Sequence, residues 1–294
     1  MATGSTLPRR ALGRQLRTLR ERNRINQADA ARIAETSPQT YGRLEDGRIT
    51  KVTDMLLNTL ANAYGATDEE RRILLELAQE IRTSTAPGGS WWRTYADAMA
   101  SGFDHYLALE EAADWVTSWQ TTVIPGLLQT RDYRRAIDWS LNPTVPTEEI
   151  ERGLDVIMKR QTLLDRPRFH FELLLSEAVI RYQVGGPGVM STQLQHLIDR
   201  SEAPGVDIRI VPFSEASPVG LLAKSFVLFS FPPLPSSRLQ EPPVAYSELL
   251  SGDLYIERGE DVDRYKGEAE RIRRVACSTV ASQELMLKAM KEMK

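Results

Sequence analysis

The chain has 294 residues, of which 41% are hydrophobic and 26% are charged, and its formal net charge is −3 at pH 7. This length is sufficient for two domains with separate cores, and the single cysteine, Cys277, excludes an internal disulfide and a thiolate zinc cluster. No apolar run approaches the roughly 18 residues that a membrane span requires, and the N-terminus lacks the apolar core of a signal peptide. We therefore expect a cytoplasmic protein that is not inserted in a membrane.

The charge is unevenly distributed along the chain. Residues 1–51 hold 11 Lys and Arg against 5 Asp and Glu, a net charge of +6, whereas the remainder carries −9. A basic N-terminal region on an acidic body is typical of a DNA-binding module fused to a domain that does not touch DNA.

The first predicted helix has an apolar face and a basic face. Leucines recur at helical spacing, and three arginines share another face, at positions 10, 14 and 17. These arginines form either a solvated face or a surface that contacts DNA phosphates. The motif that follows favours phosphate contact for at least one of them, and Arg17 is our candidate.

Residues 26–47 predict two short helices joined by a tight turn. Asn26 is placed to cap a helix over 27–34, and Ser37 precedes Pro38, an arrangement that favours the start of a second helix. Gly47 suits the left-handed conformation that ends such a helix. The pattern is a helix-turn-helix, whose second helix enters the major groove N-terminus first.

Three polar side chains of this second helix are expected to point outward and to read bases: Gln39, Thr40 and Arg43. Glutamine can pair with adenine, arginine with guanine, and the threonine methyl can contact thymine. Ordinary surface polarity is the alternative for these three residues. Two further helices, the second opened by a capping box at Thr67–Glu70, would complete a five-helix domain over residues 6–82.

This segment resembles the helix-turn-helix domain of the Xre/Cro and phage-repressor family. The residues that carry the resemblance are Gln27, Ala31 and the run Arg43-Leu44-Glu45-Asp46-Gly47. The resemblance implies base contacts from Gln39, Thr40 and Arg43, and a largely buried structural ion pair between Arg20 and Glu45, for which two independent surface charges are the alternative. It also implies phosphate contacts from the following residues: Asn26, Gln27, Arg48 and Lys51.

One position departs from that family pattern. Pro38 stands where many members carry a polar base-reading side chain, so direct readout would depend on two or three side chains. Asp46 would lie close to the DNA backbone and repel it weakly.

A small, polar, turn-rich stretch over 83–90 is the predicted linker. Trp91 and Trp92 follow it, and they either anchor the next domain or bind a ligand; we favour the anchor. The second domain would then span 91–294.

The second domain is predicted to be mixed α/β, which makes the whole chain α+β. Helices are expected over 104–120, 147–164, 177–182, 191–201, 260–276 and 278–292, and strands over 168–175, 206–212, 225–231, 244–246 and 254–257. The sheet would thus have four or five strands. Residues 232–243 hold five prolines and predict a rigid surface loop, with a proline-motif ligand as the alternative.

This half resembles the domain that follows the helix-turn-helix in actinobacterial regulators of the WhiJ-like, antitoxin-like type. The matching stretches are 122–130, 176–181, 206–213 and 225–231. The resemblance implies a transcription regulator that is often encoded beside a small partner protein.

Catalytic and metal-binding motifs are absent from the sequence. The histidines at 105, 170 and 196 have no metal-ligand spacing, and no GxSxG, Walker A or GxGxxG motif occurs. Cys277 is interpreted as a buried structural cysteine rather than a reactive thiol, and Glu177 with Arg181 as a surface ion pair.

We therefore expect no enzyme activity, no cofactor and no metal. The leading hypothesis is a regulator that binds double-stranded DNA as a homodimer on a palindromic operator, with a second domain that receives a signal from a small protein encoded by an adjacent gene or from a ligand. The alternatives are an antitoxin-like protein that mainly sequesters a small partner protein, and an enzyme that its DNA-binding domain only localises.

Overall fold

The computed structural model describes residues 7–48, 50–84, 103–217, 219–220, 222–249 and 252–293. These residues form two compact units. The first comprises the described residues up to Ala112 together with Phe231–Glu241, and the second comprises the described residues from Ala113 to Ser230 and from Pro242 onward.

The first unit is helical, as the sequence predicts. Its helices are α1 (Leu7–Arg22), α2 (Gln27–Ile33), α3 (Pro38–Glu45), α4 (Asp54–Ala63), α5 (Asp68–Ser84) and α6 (Phe103–Ala112). The apolar faces of α1, α4 and α5 supply most of the buried side chains, among them Leu12, Leu16, Leu57, Leu60 and Leu77. The five-helix prediction for residues 6–82 is confirmed by α1 to α5.

The second unit contains one β-sheet together with α-helices. Its helices are α7 (Arg131–Leu141), α8 (Thr147–Arg160), α9 (Glu177–Arg181), α10 (Pro187–Ser201), α11 (Gly259–Val275) and α12 (Thr279–Glu292), with 3₁₀ turns at Gly126–Leu128 and Gln161–Asp165. Its strands are β1 (Trp115–Gln120), β2 (His170–Ser176), β3 (Val206–Val211), β4 (Phe226–Ser230), β5 (Val244–Leu249) and β6 (Gly252–Ile256).

These six strands of the described chain form one mixed sheet in the order β3-β2-β1-β4-β5-β6. β1 and β3 both run parallel to β2, whereas β4 to β6 continue the sheet from β1 as antiparallel neighbours. The parallel strands are linked through α7 to α10, as crossover connections require. The α+β class is therefore confirmed.

The predicted helix over 104–120 was wrong beyond Ala112. Val116 and Trp119 fit a helical spacing, but they belong to β1, in which four consecutive residues are buried. β1 lies between β2 and β4. A central strand of this kind loses the in-out alternation from which strands are recognised in a sequence, and the sheet has six strands instead of four or five.

Two further expectations need correction. Helix α5 continues through Thr83 and Ser84, the first two residues of the predicted linker, while 85–90, Trp91 and Trp92 lie outside the described residues. The proline-rich segment is a surface loop only in part, because Pro235 and Arg238 are exposed as expected, whereas Leu234 and Glu241 are buried and the segment up to Glu241 belongs to the first unit.

Candidate nucleic-acid interface

Side-chain caps define the helix-turn-helix. The Asn26 side chain accepts a hydrogen bond from the backbone N–H of Asp29 at 2.8 Å, and the Ser37 hydroxyl accepts one from the N–H of Thr40 at 3.1 Å. Each cap satisfies a donor that the first turn of a helix leaves without an intrahelical partner. Gly47 follows α3 at φ +66°, as the sequence predicts for the residue that ends the helix.

Helix α1 approaches the end of α3 so closely that only glycine fits between them. A Cβ atom added to Gly13 would lie 2.3 Å from the carbonyl oxygen of Glu45 and 2.7 Å from that of Leu44. Gly13 therefore fixes the distance between α1 and α3. Gly13 was not predicted as a structural residue, although a glycine inside a predicted helix is a signal of close packing.

The Arg20–Glu45 ion pair lies behind α3. Arg20 donates through Nε to Glu45 Oε1 at 2.6 Å and through Nη2 to Oε2 at 2.9 Å, and it also reaches the carbonyl oxygen of Ile25 at 2.9 Å. Both residues are buried, Arg20 being 8% and Glu45 3% exposed. Since one guanidinium binds α3 and the chain that leads into α2, the pair orients both helices of the motif.

Gln27 extends this pair toward α2. Its amide nitrogen donates to Glu45 Oε2 at 2.9 Å. Burial alone would raise the pKa of Glu45, but the hydrogen bonds from Arg20 and Gln27 outweigh it and lower that pKa below the ordinary value. The hydrogen bond with Glu45 likewise raises the pKa of Arg20, so both groups stay charged across the physiological range.

A buried pair of tyrosines joins α3 to the residue that follows α4. The hydroxyl oxygens of Tyr41 and Tyr64 lie 2.7 Å apart. Burial, followed by the contact with Tyr64, raises the pKa of Tyr41. α3 is thus fixed on its inner side by neutral and by ionic hydrogen bonds.

The outer side of α3 carries the three predicted base-reading residues, Gln39, Thr40 and Arg43, and all are exposed. Helical spacing places positions 39, 40 and 43 on one face. The Thr40 hydroxyl lies 2.9 Å from the Ser37 hydroxyl, which orients that side chain at the N-terminus of α3. This face has the side-chain chemistry that major-groove recognition uses.

Apart from Arg17 of α1, the predicted phosphate ligands lie at the start of α2 or after α3. Asn26 is exposed, and its amide nitrogen donates to Asp29 Oδ2 at 2.8 Å. Gln27 is engaged by Glu45 as described above, while Arg48 and Lys51 are exposed in the segment after α3.

The arginines of α1 are ion-paired in this state. Arg17 reaches Asp46 Oδ1 at 2.9 Å and Glu45 Oε2 at 3.5 Å. Arg14 and Arg10 face Glu241, at 2.5 and 3.9 Å. Asp46, which we expected beside the DNA backbone, is therefore also the partner of a candidate phosphate ligand.

Two family models match the chain, and the larger one spans the whole sheet together with α6 and residues 231–241 of the first unit. A family model described as a domain of unknown function, DUF5753, matches residues 103–288, which is more than half of the chain.

The chain belongs to the DUF5753 family.

A second model, described as a helix-turn-helix domain, matches residues 11–74 and covers α2 and α3. This match supports DNA binding and a role in transcription regulation, and it favours a regulator over an enzyme. Searches of curated proteins and of solved structures gave no match. No described helix of this DUF5753 protein is both long and apolar enough to cross a membrane.

The DUF5753 region contains a buried ion pair of its own. Arg273 on α11 binds both carboxylate oxygens of Glu172 on β2, with 2.7 Å from Nη2 to Oε2, and the Thr117 hydroxyl donates to the same Oε2 at 2.9 Å. Glu172 is buried. Because the Arg273 guanidinium and the Thr117 hydroxyl both donate to the Glu172 carboxylate, this cluster attaches α11 to the sheet.

Other DUF5753 residues differ from the interpretations made from sequence. The predicted ion pair between Glu177 and Arg181 forms, with 2.8 Å between Arg181 Nη2 and Glu177 Oε1, but Glu177 is buried rather than at the surface, and its Oε2 accepts from the N–H of Phe213 at 2.7 Å. Cys277 is only half-buried, and desolvation followed by the charge of Glu177 raises the pKa of its thiol. No group of three or more His, Cys, Asp or Glu in the described ranges could hold a metal ion.

Proposed function

We propose that this protein is a sequence-specific transcription regulator that acts in the cytoplasm and reads DNA with α3. The observation that carries the proposal is the contrast between the two sides of that helix. Its inner side is fixed by the pair between Arg20 and Glu45, whereas Gln39, Thr40 and Arg43 are exposed together on its outer side. A rigid helix with an exposed polar face has the geometry that direct readout requires.

We assign two kinds of DNA contact to this surface, base contacts and phosphate contacts. Gln39, Thr40 and Arg43 would contact base edges and supply sequence preference. A second group would contact phosphates and supply affinity without sequence preference, namely Arg17, Asn26, Gln27, Arg48 and Lys51. Arg17 would exchange its carboxylate partners for a phosphate on binding.

The test is a fluorescence anisotropy titration of the full chain with a labelled duplex carrying the DNA upstream of its own gene. We expect Arg43→Ala and Gln39→Ala to weaken binding by roughly 1–3 kcal/mol each, the value of a good side-chain-to-base contact. The matched control is Arg264→Ala, which removes an exposed arginine of α11 and should bind as the parent does. Parent-like binding by Arg43→Ala and Gln39→Ala would refute the readout assignment.

We further propose that the protein acts as a homodimer on a palindromic operator. A reading surface of three side chains gives limited specificity, and two copies would read half-sites about one helical turn apart. Light scattering of the full chain gives the oligomeric state, and footprinting gives the spacing. A monomer that protects a single half-site would contradict the proposal.

The DUF5753 domain is proposed to receive the signal, from a small protein encoded by an adjacent gene or from a ligand. The resemblance to WhiJ-like, antitoxin-like regulators supports the protein partner. A pull-down with the adjacent gene's product, followed by DNA titration with and without it, tests this. If the two proteins bind but DNA affinity does not change, sequestration of the partner is the better description; if they do not bind, the partner proposal fails.

A further inference from the structure

Residues 231–241, the latch segment, connect β4 to β5 but pack within the helical unit. Phe231, Leu234 and Ser237 are buried, and Glu241 is only 1% exposed. A turn forms inside the segment, because the N–H of Leu234 donates to the carbonyl oxygen of Leu239 and that of Arg238 donates to Leu234. A connection of this length between adjacent strands is unusual unless it has a function.

The first attachment of the latch segment is to α5. One carboxylate oxygen of Glu80 accepts hydrogen bonds from the backbone N–H groups of Ser236, at 2.7 Å, and Ser237, at 3.0 Å. Glu80 is buried. Charge-assisted hydrogen bonds to two consecutive amides are stronger than neutral ones, so Glu80 fixes the turn of the segment onto the helical unit.

The second attachment is to α1, through its basic face. Glu241 Oε1 lies 2.5 Å from Nη2 of Arg14, and Oε2 lies 3.9 Å from Nε of Arg10. Arg17 stands one turn further along the same helix face and pairs with Asp46. The latch segment therefore supplies the carboxylate that neutralises the part of the basic face nearest the start of α1.

We propose that the latch segment is an autoinhibitory contact that links the DUF5753 sheet to the DNA-binding unit. The segment follows β4 directly and is separated from β5 only by Pro242 and Pro243, and these two strands pair with each other, so a ligand or partner that changes this strand pair acts on the attachment of Glu241. When Glu241 is released, Arg14 and Arg10 become available to phosphates. The inference rests on the proposed DNA-binding function and assigns the regulation of that surface.

The direction of the effect follows from electrostatics. A buried carboxylate beside two arginines competes with DNA phosphates for the same guanidinium groups, and each phosphate contact that a protein gains steepens the salt dependence of binding by about 0.9 in log–log slope. The attached state is thus the state of lower affinity. A ligand or partner changes the ratio of the attached to the released state only to the extent that it binds one state more tightly than the other.

The test uses the full chain, with hydrogen exchange of residues 231–241 and titration of a labelled mixed-sequence duplex at several salt concentrations. We expect Glu241→Gln and Glu80→Gln to lose protection at Ser236 and Ser237. Glu241→Gln should also bind the duplex roughly three- to ten-fold more tightly, with a log–log salt slope steeper by about 1–2. Glu260→Gln, which makes the same charge change at an exposed position of α11, should change neither measurement.

A double variant tests whether Arg14 is the group that becomes available when Glu241 is released. In an Arg14→Gln background, Glu241→Gln should give at most a small further gain in affinity, because the guanidinium it would release is absent. Circular dichroism melting checks that each variant is folded, and Glu80→Gln gives a second route to release if Glu241→Gln does not fold.

The outcomes separate the two proposals. If the parent binds no duplex at any salt concentration, the proposed DNA-binding function fails. If the parent binds, and variants that have lost protection over 231–241 bind with the parent's affinity and salt slope, the latch proposal is overturned and the DNA-binding function stands. Unchanged protection in both glutamine variants would equally overturn it.

Discussion

Each unit contains a buried glutamate whose two carboxylate oxygens accept hydrogen bonds from Nε and Nη2 of one arginine. In the helical unit Arg20 binds Glu45, the last residue of α3, and in the sheet unit Arg273 binds Glu172 of β2. The first pair lies directly behind the candidate reading surface, whereas the second holds a helix to a sheet. The same chemical contact therefore has different functional consequences, which depend on the element that it positions.

The largest expected effect comes from removing the glutamate of each ion pair. Glu45→Ala leaves Arg20 buried without its carboxylate, which costs about 3–5 kcal/mol of unfolding free energy and abolishes DNA binding. Glu172→Ala should cost less, because the Arg273 side chain is 30% exposed and water replaces part of the contact. Hydrogen exchange resolves the stability of each unit, and anisotropy measures DNA binding. Equal loss of DNA binding in both variants would contradict the comparison.

The next effect tests the packing of α3 rather than its charges. Gly13→Ala forces a Cβ to within 2.3 Å of a backbone oxygen of α3, so we expect a loss of about 3 kcal/mol in the helical unit, at the upper end of overpacking. Gly42→Ala is the matched control, since its Cβ would meet only the Gln27 side chain, at 3.7 Å from Oε1 and 4.0 Å from Nε2, which is ordinary van der Waals contact. Denaturation of the two variants should differ clearly, and similar midpoints would show that α1 and α3 are not held this closely.

Acid should weaken the helical unit through the first pair. The folded-state pKa of Glu45 lies below its ordinary value of 4.5, so the carboxylate contributes stability above about that pH. The contribution is lost as the pH falls from there through the folded-state pKa. Stability of α1 to α3, followed by hydrogen exchange against pH, should fall less steeply in Glu45→Gln than in the parent. Parallel curves would mean that Glu45 is not the responsible group.

The smallest expected effect compares two helix caps. Ser37 caps α3 and Ser278 caps α12, each by accepting a backbone hydrogen bond. Replacing either by alanine should cost about 1 kcal/mol in its own unit. Only Ser37→Ala should weaken DNA binding, because only that cap orients a reading helix. A matching loss of DNA binding in Ser278→Ala would show that the measurement reports general destabilisation.

The helical unit was predictable because its signals are local. Asn26, Ser37 and Gly47 act within one or two turns of their own position, and the structure has them in those roles. Arg20 and Glu45 were paired from a family resemblance, and the geometry is that of a buried two-pronged contact.

The remaining features depend on contacts that local patterns do not encode. β1 has four consecutive buried residues because it pairs with two strands that follow much later in the chain and packs against α11, which follows later still. The carboxylate that Arg14 contacts lies 227 positions away in the sequence, and the backbone amide that Glu80 contacts lies 156 positions away. The need for glycine at position 13 is evident only when the positions of the carbonyl oxygens at the end of α3 are known.

The most direct test of the central claim compares Arg43→Ala with Arg48→Ala on two duplexes, one from upstream of the gene and one of mixed sequence. We expect Arg43→Ala to weaken binding to the upstream duplex only, and so to lose the preference between the two. Arg48→Ala should weaken both by the same factor and reduce the salt slope by about 1. If Arg43→Ala weakens binding to both duplexes equally and keeps the preference, α3 does not read the sequence through Arg43.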